Sequence, residues 1–240
     1  MSQPPPGEAP RGPDPTGSPA AHPRRRRWWI FGVVVVLAAG AGVTWWLWPS
    51  DPHVVPGTVQ ASVLSADDAG KALGQTLQSQ HGISEPPPAL PSSPANCAVA
   101  VGPATQAVYT PGWTTFGSVT YQDSDSTADH TVTQVIGVYP TGDQARQVFG
   151  TLSDGVKSCQ SAVRADGGGG RASKWLYAVT KNTADTVSWK ATQDAGDGWA
   201  CYRQARLKGR AVLQVAVCEA GDGSEAAATT ADQLASRVSG

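Results

Sequence analysis

The chain has 240 residues, 40% of them hydrophobic, and its 18 basic and 19 acidic side chains give a net charge of −1 at pH 7. Five arginines precede residue 28 with only Glu8 and Asp14 against them, so the rest of the chain carries 13 basic and 17 acidic residues. A mildly acidic remainder lacks the basic patches of nucleic-acid-binding proteins, and we expect no nucleic-acid partner.

The first predicted segment, residues 1–27, is rich in Pro, Gly, Ala and Ser and has almost no large apolar side chain. Such a segment cannot bury enough apolar surface to offset the entropy that it would lose on ordering. We therefore predict a disordered tail, which the direction of the next segment places in the cytoplasm.

Residues 28–48 form a run of 21 residues without a charge, and a helix of this length spans roughly 30 Å, the thickness of the hydrocarbon core of a bilayer. Tryptophans lie at both ends of the run, as in the aromatic belts of membrane helices. Four arginines precede it, whereas no positive charge follows before Lys71. Because a basic flank is retained in the cytoplasm, we predict a single span of the plasma membrane with the C-terminal part outside the cell. The arginines that set this topology are Arg24, Arg25, Arg26 and Arg27.

Three other interpretations of residues 28–48 stay open. Residues 38–42 offer the small side chains that a signal peptidase needs, although a secretory apolar region is only about 7–15 residues long. A lipoprotein requires a cysteine near the end of the run, where this chain has none. A buried core helix would be unusual with this uncharged length and two aromatic rims.

About 145 residues follow the last proline-rich stretch, which suffices for one compact domain with a real core. We predict an extracellular stalk over residues 49–62 and a folded domain over residues 63–240. Within this domain, Ser65 and Asp68 start a helix that is predicted to reach about Gln80. The proline-rich residues 85–94 then form a stiff, extended spacer that separates this helix from the cysteine-bearing part.

The remaining elements are predicted from hydrophobic periodicity and capping residues. A glycine run at 166–170 is interpreted as a flexible loop. Runs of hairpin-connected strands with helices between them predict an α+β domain, with an antiparallel sheet of about six strands packed with helices. The elements are a hairpin over 113–122 and 130–139, a helix from Thr141 to Cys159, strands over 174–181 and 186–192, a hairpin over 199–207 and 212–219, and a helix over 224–238.

All four cysteines lie on the predicted outer side, where an oxidising environment favours two disulfides. A two-residue loop at residues 209–210 places Cys201 opposite Cys218, at a non-hydrogen-bonded site where Cα atoms lie about 4.5 Å apart. That pairing leaves Cys97 with Cys159. The alternative, zinc held by four thiolates, lacks any C-x-x-C pair.

Strand tryptophans either fill a core or line a groove for an apolar or carbohydrate ligand, and filling the core is the commoner role. Arg203 and Arg206 flank the cysteine strand on opposite faces, so at least one of them should reach solvent, where it could meet an anionic ligand. The residues that we name as a candidate ligand groove are Trp113, Trp175, Trp199 and Arg203.

Neither a catalytic residue, a cofactor nor a metal site is predicted. His130 beside Asp129 is compatible with a Ser-His-Asp site, but the chain has no G-x-S-x-G elbow to present a nucleophile, which makes a cell-surface hydrolase the weakest hypothesis. The acidic loop 123–129 resembles the start of a calcium loop, yet Ala128 and Gln134 occupy the positions of its glycine and its bidentate glutamate. The glycine run lacks the lysine and hydroxyl residue of a phosphate loop.

The sequence GWACYR at 198–203, with Cys218 seventeen residues after Cys201, resembles the extracellular sensor domain of mycobacterial PknH-type receptor kinases. A cysteine that follows a proline-rich spacer and an amphipathic helix that ends at a cysteine match the same family. The resemblance covers residues 63–239. It implies disulfides 97–159 and 201–218, and an open cleft between sheet and helices that is proposed to bind an unidentified extracellular ligand.

The resemblance implies no kinase here, because residues 1–27 contain neither a glycine-rich phosphate loop nor a catalytic H-R-D. We therefore expect a non-catalytic ectodomain, anchored in the lipid bilayer through residues 28–48, that binds an unknown extracellular ligand and acts through a separate membrane or envelope protein. The alternative is a structural or interaction protein of the cell envelope that senses no ligand.

Overall fold

The computed structural model of the chain describes residues 57–164 and 172–239. The predicted tail (1–27), membrane span (28–48), glycine run (166–170) and most of the stalk lie outside the described residues and stay predictions. None of the helices that the structure describes is long and apolar enough to span a bilayer.

One antiparallel sheet organises the described part of the chain. Its nine strands are β1 (Ser79–Ile83), β2 (Ser92–Ser93), β3 (Thr115–Gln122), β4 (His130–Val138), β5 (Ser161–Arg164), β6 (Ser173–Asn182), β7 (Thr186–Gln193), β8 (Trp199–Lys208) and β9 (Ala211–Ala220). Their order across the sheet is β1-β3-β4-β9-β8-β7-β6-β5-β2. The α+β class and the antiparallel sheet are confirmed, whereas the predicted number of about six strands is wrong because β1, β2 and β5 were not foreseen.

Helices pack on both faces of the sheet. One face carries the two N-terminal helices and the C-terminal helix, and the other carries the long central helix. The helices are α1 (Gly57–Ser62), α2 (Ala66–Leu73), α3 (Ala98–Val101), α4 (Gly142–Ser158) and α5 (Ser224–Arg237).

The central strand β9 shows why the sheet holds two cores. Its first eight residues are all buried, because successive side chains point to opposite faces and both faces are covered. Leu213 and Val215 join the core under α1, α2 and α5, which includes Leu234 of α5. Val212 joins the core under α4, which includes Leu152.

The N-terminal helices belong to the domain core. Val59 of α1 is 4% exposed and packs against β3, where a Cβ on Gly117 would lie only 2.7 Å from Cγ1 of Val59. Residues 57–62 of the predicted extracellular stalk are therefore helical and part of the folded domain. The domain thus begins before the predicted boundary at residue 63.

The helix predicted from Ser65 is confirmed at its start and wrong at its end. The Ser65 hydroxyl accepts a hydrogen bond from the Asp68 backbone N–H at 3.2 Å, as an N-cap does. The helix stops at Leu73 because Gly74 adopts a left-handed conformation with φ of 72°. Residues 75–78, which were predicted to continue the helix towards Gln80, instead lead into β1.

The proline-rich spacer connects opposite edges of the sheet. It leaves β1 at one edge and reaches β2 at the other, where Ser92 and Ser93 pair with β5. The side-chain amide of Gln106 donates to the Pro86 carbonyl oxygen at 3.1 Å, which fastens the spacer to the domain. The prediction that the spacer separates the first helix from the cysteine-bearing part is wrong, since both pack on one sheet.

Both predicted disulfides are present. In the hairpin of β8 and β9, Lys208 pairs with Ala211 across a two-residue loop and Cys201 lies opposite Cys218, in the register that the sequence predicts. The Cα atoms of this pair are 3.9 Å apart, closer than the predicted spacing. The Cys97–Cys159 bond, with Cα atoms 5.3 Å apart, ties α3 to the end of α4.

Two glycines of α4 are expected to respond in opposite directions to replacement by alanine. A Cβ on Gly155 would lie 2.5 Å from Cγ1 of Val99 in α3, whereas a Cβ on Gly150 would meet nothing within 4 Å. Gly155→Ala should lower the free energy of unfolding by about 2 kcal/mol through overpacking. Gly150→Ala should raise it by about 1 kcal/mol, because alanine is the better helix former. Urea unfolding of the two variants measures both changes, and a stabilising Gly155→Ala would contradict the close contact of α3 with α4.

Candidate functional site

A pocket of about 220 Å³ opens beside the Cys201–Cys218 disulfide, on the sheet face that carries α4. We call it the aromatic pocket. Its lining includes three aromatic side chains, two arginines and the disulfide, namely Trp175, Tyr177, Trp199, Arg164, Arg203 and Cys201–Cys218.

Strand register brings these side chains to one face. Tyr177 of β6 lies opposite Ala191 of β7, which lies opposite Cys201 of β8, which in turn lies opposite Cys218 of β9. Residues two apart in a strand share a face. Trp175 therefore lies beside Tyr177 on β6, and Trp199 and Arg203 lie on either side of Cys201 on β8. The buried residues Ala191, Cys201 and Cys218 form a small apolar cluster on which the aromatic side chains pack.

The two arginines bring positive charge into this apolar setting. The Nε atoms of Arg164 and Arg203 are buried without a hydrogen-bond partner, and an unpaired buried donor costs about 1–3 kcal/mol. Burial lowers the pKa of Arg203 to about 10, an effect opposed by Tyr177 and increased by Arg164. Arg203 therefore stays cationic at neutral pH.

Tyr177 is a neutral hydrogen-bonding group in the same pocket. Its burial raises the pKa of the phenol, an effect that the neighbouring Arg203 and Arg164 partly oppose. The phenol therefore keeps its proton at neutral pH and can donate it in a hydrogen bond. Together with the guanidinium groups, it gives the pocket donors suited to an acceptor on a ligand.

Of the four residues predicted for a ligand groove, the structure brings together Trp175, Trp199 and Arg203. Trp113 lies elsewhere, because it precedes β3 and packs with its ring centroid 6.2 Å from that of Phe116 in the core under α4. Arg206 lies on the opposite face of β8 from Arg203, as predicted, where its Nη1 is 2.6 Å from Oδ1 of Asp232.

Sequence reasoning missed Arg164 and Tyr177. Arg164 ends β5, a strand of four residues that is too short to show a periodic pattern. Tyr177 carried a usable signal, since it follows Trp175 by two residues in a predicted strand and must share its face.

A larger cavity of about 510 Å³ lies on the opposite face, beside α5. Several polar groups that line it already have partners. The Lys190 ammonium lies 4.9 Å from the ring centroid of Tyr202, and the Tyr202 hydroxyl donates to the Gly221 carbonyl oxygen at 2.6 Å. The Asp222 carboxylate accepts a hydrogen bond from the Ser224 backbone N–H at 3.1 Å. The aromatic pocket is smaller, but both Arg164 and Arg203 line it, whereas only Arg203 also borders the larger cavity.

His130, the histidine of the hydrolase hypothesis, contacts a residue of the loop between β3 and β4. Its Nδ1 lies 2.7 Å from Oδ2 of Asp123, and the other oxygen of Asp123 accepts from the Asp129 backbone N–H at 3.1 Å. Burial raises the pKa of Asp123, but the hydrogen bonds outweigh this effect and the net pKa is lowered. The histidine thus contacts Asp123 rather than the neighbouring Asp129. Within residues 57–164 and 172–239, no group of three or more His, Cys, Asp and Glu side chains could hold a metal ion.

Comparison with known proteins gives one consistent result. Residues 54–237 match the family of the PknH-like extracellular domain. Serine/threonine-protein kinase PknH of Mycobacterium tuberculosis is 26% identical over 226 residues, which cover 86% of this chain and 36% of the kinase. The PknH of Mycobacterium bovis is equally similar, with 37% of its length covered. The chain thus spans little more than a third of the length of the curated relatives that it matches.

The fold agrees with this match. The crystal structure of the extracellular domain of PknH from Mycobacterium tuberculosis aligns with a TM-score of 0.67 and 21% identity, covering 77% of this chain and 96% of that domain. The similarity therefore concerns the extracellular domain of a kinase and not its catalytic domain. Because the family match extends over three quarters of the sequence, the chain belongs to the PknH-like extracellular domain family.

Proposed function

We propose that the chain is a membrane-anchored, non-catalytic sensor whose extracellular domain binds a ligand in the aromatic pocket. In this proposal residues 28–48 cross the plasma membrane, residues 24–27 hold the N-terminus in the cytoplasm, and the signal passes to a separate membrane or envelope protein. Membership in a family of extracellular domains supports the placement of the folded part outside the cell.

The observation that carries the proposal is the convergence of three aromatic side chains and two unpaired cations at one pocket. Ligand sites are typically concave and mostly apolar, with a few placed polar groups that fix orientation. A purely structural role does not account for the arginines, because a buried Nε donor without a hydrogen-bond partner destabilises a fold.

A ligand of the pocket is expected to raise the melting temperature of the full chain, because it binds the folded state only. The chain is reconstituted in phosphatidylcholine nanodiscs and screened by thermal shift against fractionated envelope lipids, glycans and small metabolites. Trp175→Ala should abolish the shift. Trp113→Ala removes the same side chain outside the pocket and should preserve it. If no fraction gives a shift that depends on Trp175, ligand sensing through this pocket is wrong.

A second candidate, an interaction protein that senses nothing, is favoured by the exposed apolar side chains on β5 and β6. Leu176 is 44% exposed, and Val163 and Val179 are 37% exposed. Val163 lies opposite Lys174 and so shares a face with Leu176, whereas Val179 lies opposite Trp189 on the other face. The exposed pair suits contact with another envelope component. The same screen separates the two functions, because a protein that only assembles through these strands has no ligand that raises its melting temperature through the pocket.

A further inference from the structure

Two arginines differ from all the others in the described part of the chain. The side chains of Arg164 and Arg203 have neither an ion pair nor a hydrogen bond within residues 57–164 and 172–239. Each of the other four described arginines contacts a carboxylate or a carbonyl oxygen. Those pairs are Arg146 with Asp143, Arg206 with Asp232, Arg210 with the Pro140 carbonyl, and Arg237 with Asp68 and the Val63 carbonyl.

The unpaired arginines share one site. Arg164 ends β5 and lies opposite Ser173, the residue two before Trp175 on β6. Arg203 lies two residues after Cys201 on β8. Both line the aromatic pocket together with Tyr177, and the charge of each arginine lowers the pKa of that phenol. Two guanidinium groups therefore face one small volume that also contains a neutral phenol.

An anion in this pocket would offset the cost of placing two cations there. Burial penalises a charged group, and a second cation nearby adds to the penalty. A carboxylate or phosphate reverses both effects, because a guanidinium presents planar donors that match two oxygens at once. A lysine in place of either arginine could not make that paired contact.

The tryptophans that line the pocket indicate the chemistry of the part of the ligand that carries no charge. Trp175 and Trp199 are partly buried and present apolar ring surfaces beside the disulfide. The volume of about 220 Å³ is below the roughly 300–1,000 Å³ that is usual for drug-sized ligands. The pocket therefore suits a small molecule, or one end of a larger one, that combines an anionic group with an apolar or planar part.

We propose that the aromatic pocket binds a carboxylate or phosphate group between Arg164 and Arg203, while the apolar part of the same ligand packs on Trp175 and Trp199. This inference rests on the proposed function, since it names the chemical class of ligand for the same pocket. It requires only residues that already line the pocket.

The test uses the full chain in phosphatidylcholine nanodiscs and defined probes. Phenyl phosphate and benzoate carry an anionic group on a planar body, and benzyl alcohol is their neutral counterpart. We expect saturable binding of at least one anion in ligand-observed NMR titrations, and binding of benzyl alcohol that is weaker by about tenfold or more. This comparison needs no substitution, so it holds even where a variant fails to fold.

Substitutions then assign the anion to the two arginines. Arg203→Gln and Arg164→Gln should each weaken anion binding by about tenfold. Arg203→Lys should weaken it less, because lysine keeps the positive charge although it lacks the planar pair of donors. Arg206→Gln is the matched control, since it removes an arginine from the opposite face of the same strand and should leave binding within about twofold.

A competition experiment identifies the source of the anionic group. Displacement of phenyl phosphate by vesicles that contain phosphatidylglycerol, but not by phosphatidylcholine vesicles, assigns the site to a lipid headgroup. No displacement, with phenyl phosphate still bound, assigns it to a soluble molecule. Either result supports an anion site.

Two results would overturn the inference. The first is a neutral ligand that binds through Trp175 and Trp199 with equal affinity in the wild type and both glutamine variants. That result would leave the proposed function intact and exclude only the requirement for an anionic group.

The second concerns Asp166, which lies outside the described residues. If Asp166→Asn and Arg203→Gln each lower the melting temperature and the double variant lowers it no further, an internal ion pair accounts for the arginine.

Discussion

Replacing Cys97 and Cys159 together with alanine is expected to lower the free energy of unfolding by about 4 kcal/mol. The bond joins residues 62 apart in sequence, and in the chain-entropy model a loop of this length restricts the unfolded chain strongly. Cys97 and Cys159 also belong to a small cluster, with only Ala100, Val101 and Ala162 as its other buried members. Besides this bond and its small cluster, the packing of Val99 against Gly155 holds α3 on the end of α4.

The second disulfide provides the matched comparison. Replacing Cys201 and Cys218 with alanine opens a bond that spans only 17 residues, for which the same model predicts about 3 kcal/mol. Urea unfolding followed by circular dichroism, under identical conditions, gives both values. In addition, amide exchange should show the first loss of protection in Ala98–Val101 for the Cys97 variant. A larger loss of stability for the hairpin variant would contradict the assignment of Cys97–Cys159 as the main covalent constraint.

The elements that the sequence predicted well are those with local determinants. The register of β8 and β9 follows from a two-residue loop, which fixes every pair along the hairpin. The start of α4 follows from Thr141, whose hydroxyl accepts a hydrogen bond from the Gln144 backbone N–H at 3.2 Å. Its buried face, which includes Leu152 and Val156, follows from the helical period.

The elements that were missed depend on distant partners. β2 has two residues and β5 has four, so neither can display the alternation that identifies a strand. β1 contains His81 and Gly82 and forms only because β3 offers it a free edge. Such pairing is a property of the assembled sheet, and the local composition of these segments does not reveal it.

The candidate site was predictable only where local sequence patterns determine it. Alternation along a strand places Trp199, Cys201 and Arg203 on one face, and the disulfide fixes the neighbouring strand. No local pattern indicates that Arg164 reaches this face from β5. Trp113 was grouped with the others because the hairpin was predicted to begin at residue 113, whereas β3 begins at Thr115.

Gln134→Ala is expected to lower the free energy of unfolding by about 3 kcal/mol, although residue 134 is far from the pocket strands β5 and β6. The side chain is fully buried in β4 and contacts both backbone polar groups of Leu64. Its Oε1 accepts from the Leu64 N–H at 2.8 Å, and its Nε2 donates to the Leu64 carbonyl oxygen at 3.2 Å. Alanine leaves a buried N–H unpaired and a cavity beside it, and each is destabilising.

Tyr121→Phe is the control for this prediction. The Tyr121 hydroxyl donates to the same Leu64 carbonyl oxygen at 3.0 Å, so its removal leaves that oxygen one donor and should cost only about 1 kcal/mol. Thermal and urea unfolding measure the two losses, and amide exchange at Leu64 should accelerate in the Gln134 variant alone. The difference between the variants reports how α1 and α2 are attached to the sheet. Equal losses of unfolding free energy in the two variants would contradict the prediction. They would indicate that burial of Val59 and Leu64, and not the Gln134 hydrogen bonds to Leu64, attaches these helices to the sheet.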